Sequence, residues 1–249
     1  MNLLRSEWTK FRSLRSTWLT VAITIALGVG IGALSASAQA GAGVDETWDP
    51  TAASLTSITV AQLAIGVLGV LVMTAEYATG TIQPSVVAVP HRGRLLAAKA
   101  AVLSVAAVLL GQLIAFGSFL LGQAMIAGAG VPHATLDQPG VLRAVVGGGL
   151  YLAAVGLLGL GLGAVLRSTA GAIGTLVTVT LVVRLVAQSL PETWREWMNR
   201  YWPTAAGEKI VAVLPEPGTI GPWSGFAILA GFVAVVCAAG YTVFRTRDT

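Results

Sequence analysis

Charged side chains divide the chain into long blocks that contain none: Ser16 to Val44, Pro50 to Ala75, Ala100 to Leu136, Ala144 to Leu166 and Pro217 to Phe244. A sixth block, Ser168 to Pro191, is interrupted only by Arg184. Each is longer than the ~20 apolar residues that carry an α-helix across a bilayer. The strands of a transmembrane barrel would alternate apolar and polar positions over ~10 residues, whereas these blocks are continuously apolar. The pattern therefore predicts an all-α membrane protein, a single domain over residues 1–249 with six transmembrane helices near 17–38, 54–75, 100–127, 144–166, 168–190 and 223–244.

Two shorter stretches have helical rather than uniform patterning. Over residues 1–16, Leu4, Trp8, Phe11 and Leu14 fall near one face and Arg5, Arg12 and Ser16 opposite, as in an amphipathic helix lying on a membrane surface. After the fifth block, Ser189 and Glu192 have capping-box spacing, followed by Trp194, Trp197, Met198, Tyr201 and Trp202 on one aromatic face. This predicts a short interfacial helix that ends at Pro203 and precedes the last span, either as a surface anchor or as a lid over an exit path. In the fourth block, Gly147 to Gly149 and the Gly159-x-x-x-Gly163 pair allow close helix approach, within the chain in preference to a dimer seam.

Charge orients the bundle. With the N-terminus cytoplasmic, the inner segments hold Arg5, Lys10, Arg12, Arg15, Arg92, Arg94, Lys99, Arg167, Arg245 and Arg247, ten of the 15 basic residues. Both termini are then expected inside, by the positive-inside rule. The small residues Ser35 to Ala40 resemble a signal-peptide cleavage site, but Thr17 to Ala38 gives 22 uncharged positions, against ~7–15 in a signal h-region, so a retained span is expected. Composition agrees: hydrophobic residues make up 55% and charged ones 10%, more apolar surface than a soluble domain of 249 residues can bury. The net charge of +4 comes from residues beside span ends and forms no aromatic-interleaved stripe, so no nucleic-acid partner is expected.

Catalytic chemistry is sparse. The single Cys237 rules out an intramolecular disulfide and any cysteine metal cluster. No carboxylate lies deep in a span, His91 and His133 fall in loops, and no lysine follows the glycine of a phosphate-binding loop. No cofactor or metal site and no enzymatic activity are expected in this chain. Arg184 is the one charge well inside a span; it is expected to snorkel to the outer interface in preference to facing a substrate. Arg184, Trp194, Trp197 and Tyr201 are the candidates for a pathway or interface.

The segment Glu76 to Lys99, EYATGTIQPSVVAVPHRGRLLAAK, reads as a compact loop punctuated by Gly80, Pro84 and Pro90. Glu76, then Gly80-Thr81-Ile82, Val89-Pro90, Arg92, Arg94 and Lys99 resemble the E-x-x-x-G-T-[IL]…[TV]-P…R…K pattern of type-2 ATP-binding cassette (ABC) transporter permeases. The layout of amphipathic helix, six spans and short outer helices is similar across nearly the whole chain. The resemblance implies the membrane subunit of an ABC exporter in a bacterial cytoplasmic (inner) membrane. Such a subunit dimerises with a second permease chain and docks on a separate ATPase subunit that binds the ATP. It further implies that Gly80 to Ala88 form a coupling helix, that Arg167 to Gly171 make a second contact, and that Glu76 holds the loop against the N-terminal helix. Gln83 departs from the charged residue common at its position, and Pro84 follows it, which leaves the start of the coupling helix open. A non-transporting membrane scaffold or sensory partner is the alternative function; a secondary carrier comes third, lacking both acids and an internal repeat.

Overall fold

A computed structural model of the protein describes residues 2–13, 15–41, 48–78, 80, 92–214 and 218–246. The described elements are helices: α1 (Asn2–Ser13), α2 (Arg15–Gly41), α3 (Pro50–Leu55), α4 (Ile58–Ala78), α5 (Arg92–Gly128), α6 (Val141–Leu166) and α7 (Thr169–Val177). A π-helical segment, Thr178–Val182, joins α7 to α8 (Val183–Ala187). Then come α9 (Glu192–Tyr201), α10 (Pro203–Glu208), a 3₁₀ turn (Lys209–Val211) and α11 (Pro222–Thr246). Six stretches are long and apolar enough to cross a membrane: Val21–Gly41, Pro50–Tyr77, Gly93–Gly128, Val141–Leu166, Thr169–Ala187 and Pro222–Thr246. The fifth of these, α7 through α8, is called span five below.

The most buried helix is α6, surrounded by α4, α5, α11 and span five; α2 packs outside, on α5 and α4. Glycine makes the centre possible. A Cβ on Gly69 would strike the Gly156 carbonyl, and one on Gly159 the Gly66 carbonyl, so α4 and α6 meet backbone to backbone. Gly163 packs on Val70 and Met73 of α4, and Gly147 faces Ile210. The glycines of the fourth span thus serve intramolecular packing, as expected. In lipid, where apolar surface gives little drive for helix association, this closeness and the interhelical hydrogen bonds hold the bundle.

Local signals set the helix ends. Asp49 caps α3, its carboxylate accepting from the amides of Thr51 at 2.8 Å and Ala52 at 3.0 Å, with Pro50 in the first turn. Ser168 caps α7 through the Gly171 amide, so α6 and α7 reverse direction across two residues. The expected capping box does not form. Pro191 occupies the cap position of α9 without a side-chain bond, which makes Glu192 the first helical residue rather than the third. The compact loop expected to reach Lys99 is also shorter than the charges suggested. Arg92 to Lys99 already belong to α5, because Leu95, Leu96 and Ala98 bury on the bundle and these residues favour helix.

The bundle has two distinct ends. The near end carries α1, the start of α5, the α6–α7 turn and the end of α11; there Leu3 of α1 packs against a cluster of Met73, Leu95, Leu96 and Phe244. Leu4 and Trp8 point away from the bundle and are exposed; the side chain of Phe11 and all of Leu14 lie outside the described residues. The far end carries α3, α9 and α10.

Candidate functional site

At the near end the resemblance marks two groups of residues. Glu76 sits on the last turn of α4 and Lys99 on the second turn of α5, and their side chains form an ion pair of 2.6 Å. Lys99 is 2% exposed and Glu76 12%, so the pair is screened from water and joins the two helices that flank residues 79–91. The N-terminal helix packs on α5, the helix that carries Lys99. Gly80 is exposed with φ +68°, in the left-handed region that costs a residue with a Cβ about 1–2 kcal/mol. Its amide donates to the Tyr77 carbonyl at 3.3 Å, closing a turn directly after α4. Thr81, Ile82, Gln83, Val89 and Pro90, with the rest of the expected coupling helix, lie outside the described residues, as does the side chain of Arg92. Arg94 is exposed, and neighbouring Gly93 packs on the ring of Tyr241 in α11.

Arg167, in the α6–α7 turn, gathers this end together. It has the left-handed φ of +53°, unusual for a residue other than glycine, and its amide closes α6 on the Gly163 carbonyl. Its guanidinium donates to the Val243 carbonyl at 3.1 Å and lies 5.5 Å from the Tyr77 ring centroid, within cation–π range. The end of α4, the α6–α7 turn and the end of α11 thus meet at one side chain. A strained backbone persists where the surroundings over-determine it, and here they do. Tyr77 and Val243 carry no sequence signal for this role.

At the far end, Arg184, expected to snorkel to the outer interface, pairs through its guanidinium with Glu208 at the end of α10. Glu208 also accepts from the Thr59 hydroxyl of α4 at 3.1 Å. Behind Thr59, its carbonyl accepts from the Gln62 amide at 3.0 Å, and the Gln62 carbonyl accepts from the Tyr151 hydroxyl at 2.7 Å. Both Gln62 and Tyr151 are fully buried. A line of polar groups therefore runs from span five through α10 and α4 into α6.

A cap of α9, α10 and the segment after it covers this end. Trp202 Nε1 donates to the Val179 carbonyl at 2.8 Å, and the Thr204 hydroxyl to the same carbonyl at 3.3 Å. Trp202 therefore leaves the aromatic face it was expected to share, because the chain turns extended there before Pro203. Trp194, Trp197 and Tyr201 remain on that face and are exposed, with Trp197 and Tyr201 rings 5.9 Å apart. Farther along, Arg143 donates to the carbonyls of Ile210 and Ala212, and the second oxygen of Asp49 accepts from the amides of Val213 and Leu214. Among the described residues no group of histidine, cysteine, aspartate and glutamate could hold a metal ion.

No curated protein matches the chain. A family model described as ABC-2 family transporter protein matches residues 3–187, from the first helix through span five. That stretch holds five of the six spans, the near-end ion pair and the Arg167 turn, and the chain belongs to the ABC-2 family of membrane transport proteins.

Proposed function

We propose that this chain is the permease subunit of an ATP-driven exporter and transmits ATP hydrolysis by a separate ATPase subunit to a path formed with a second permease chain. In this reading the near end faces the cytoplasm of a bacterial cell and the far end opens outward. The observation that carries it is the Arg167 side chain. It joins the base of the 79–91 segment, through Tyr77, to the α6–α7 turn and to the last span. A partner pressing on either surface moves all three, which is what a force-transmitting contact requires.

Co-purification with the ATPase, followed by ATP hydrolysis measurements on the reconstituted complex, tests it. Gly80→Leu forces a bulky residue into the left-handed region, and Arg92→Glu with Arg94→Glu inverts the charge beside the segment. Either change is expected to leave the detergent-solubilised yield intact while ATPase capture is lost. If the wild-type chain captures no ATPase, or moves solute without one, the reading is wrong; capture of other proteins without any transport would favour a scaffold.

A further inference from the structure

We propose that Arg184 and Glu208 form a releasable latch that holds the far end of span five against the α10 cap, with the π-helical segment Thr178–Val182 as its hinge. The proposal rests on the reading of the chain as a transporter, because only a protein that alternates access needs its far end both shut and openable.

Span five is one of the two least buried spans, the last span being the other. Its buried residues are Ala172, Leu176, Thr180 and Ala187, and its helical hydrogen bonding changes register over Thr178–Val182. Segments with few buried contacts open at low free-energy cost, and π-helical insertions frequently mark functional sites. Three contacts fasten this span to the cap, all within six residues: Trp202 and Thr204 on the Val179 carbonyl, and Glu208 on Arg184. Glu208 simultaneously holds Thr59 of α4, so one carboxylate bridges α4, α10 and span five.

The Lys99–Glu76 and Arg184–Glu208 pairs differ in a way that assigns their roles. Lys99 and Glu76 are 2% and 12% exposed, so separating them costs more than separating a pair open to water. Arg184 and Glu208 are 34% and 19% exposed, and each lies at the end of its element. When they part, the long arginine can carry its charge to the membrane surface while its stem stays in lipid. Thr59 and the Gln62–Tyr151 pair remain behind as a polar lining for the opened mouth.

Ala187 is the reporter. It is 2% exposed, three residues after Arg184 on the same short helix, and lies buried only while the far end of span five is in place. The experiment measures the rate at which Ala187→Cys, in a Cys237→Ala chain, reacts with a thiol reagent in permeabilised membranes. Thr56→Cys, exposed at the same end, serves as the access control. Glu208→Gln is expected to raise the Ala187→Cys rate about tenfold, the shift that follows loss of one charge-assisted hydrogen bond, with the Thr56→Cys rate unchanged. Exchanging the two charges, Arg184→Glu with Glu208→Arg, is expected to restore slow reaction. If Glu208→Gln lowers the yield, Trp202→Phe keeps an aromatic ring and removes the indole donor to Val179, and a severalfold rise is still expected. Unchanged Ala187→Cys rates in both variants would overturn the latch, whatever the chain does with an ATPase. A raised rate that charge exchange restores supports it even where no ATPase is captured, in which case the transport reading alone fails.

Discussion

Lys99 shows how much one residue can depend on its partner. Its ammonium is withdrawn from water and faces Glu76 at 2.6 Å, so loss of either partner removes a charge complement that the burial of the other requires. Lys99→Met or Glu76→Gln alone should cost about 3–5 kcal/mol, read as a fall in the thermal midpoint of the detergent-solubilised chain, and the double variant should recover most of it. Losses that simply add in the double variant would mean that the two charges are not coupled. Charge positions were legible in the sequence, but charge pairing was not. Arg184 and Glu208 are 24 residues apart across a loop and two short helices, beyond the reach of any helical periodicity. The one hint is chemical: an arginine inside a span requires an acid, and Glu208 falls where the chain returns to the same end. Gly80 was legible through its type, because a glycine between two blocks signals a left-handed turn. Arg167 was not, because the same backbone conformation there is imposed by packing.

Among the elements, the close crossing of α4 and α6 gives the sharpest contrast between similar residues. Gly159→Ala must push against the Gly66 carbonyl and should destabilise the protein by about 1–3 kcal/mol. Gly174→Ala and Gly231→Ala meet nothing within 4 Å and should be neutral or slightly stabilising, since alanine favours helix by about 0.5–1 kcal/mol. Thermal midpoints of the three variants, compared side by side, check this ordering. The small-residue spacing was visible in the sequence, and so was the existence of each long helix. The helix ends were less so, because a charged residue marks where a span leaves lipid, not where its helix stops. Residues Arg92 to Lys99 are polar enough to leave the membrane and still continue α5. Pro191 defeated the capping box for a comparable reason: its fixed φ claimed the cap position before Ser189 could.

For the whole molecule, the ten-to-five division of basic residues between the two ends sets an orientation that labelling in intact cells can check. In a Cys237→Ala chain, Asp137→Cys, exposed at the far end, should react with an impermeant thiol reagent from outside, and Arg94→Cys, exposed at the near end, should not. The reverse pattern would invert the proposed direction. The six-span architecture followed from the apolar blocks along the sequence, because in lipid every backbone polar group must be satisfied within a helix. How the helices are arranged around α6 did not, since each apolar block could have packed on any other. One proportion of the finished bundle has a mechanical consequence. The helix α5 has 37 residues and no proline, a rod of about 55 Å against a hydrocarbon layer of about 30 Å. It is pinned at Lys99, with 7 residues on one side, back to Arg92, and 29 on the other, out to Gly128. Such a rod carries a push at Arg92 through the whole bundle to Gln123, which donates to the Pro50 carbonyl and the Ser54 hydroxyl at the far end.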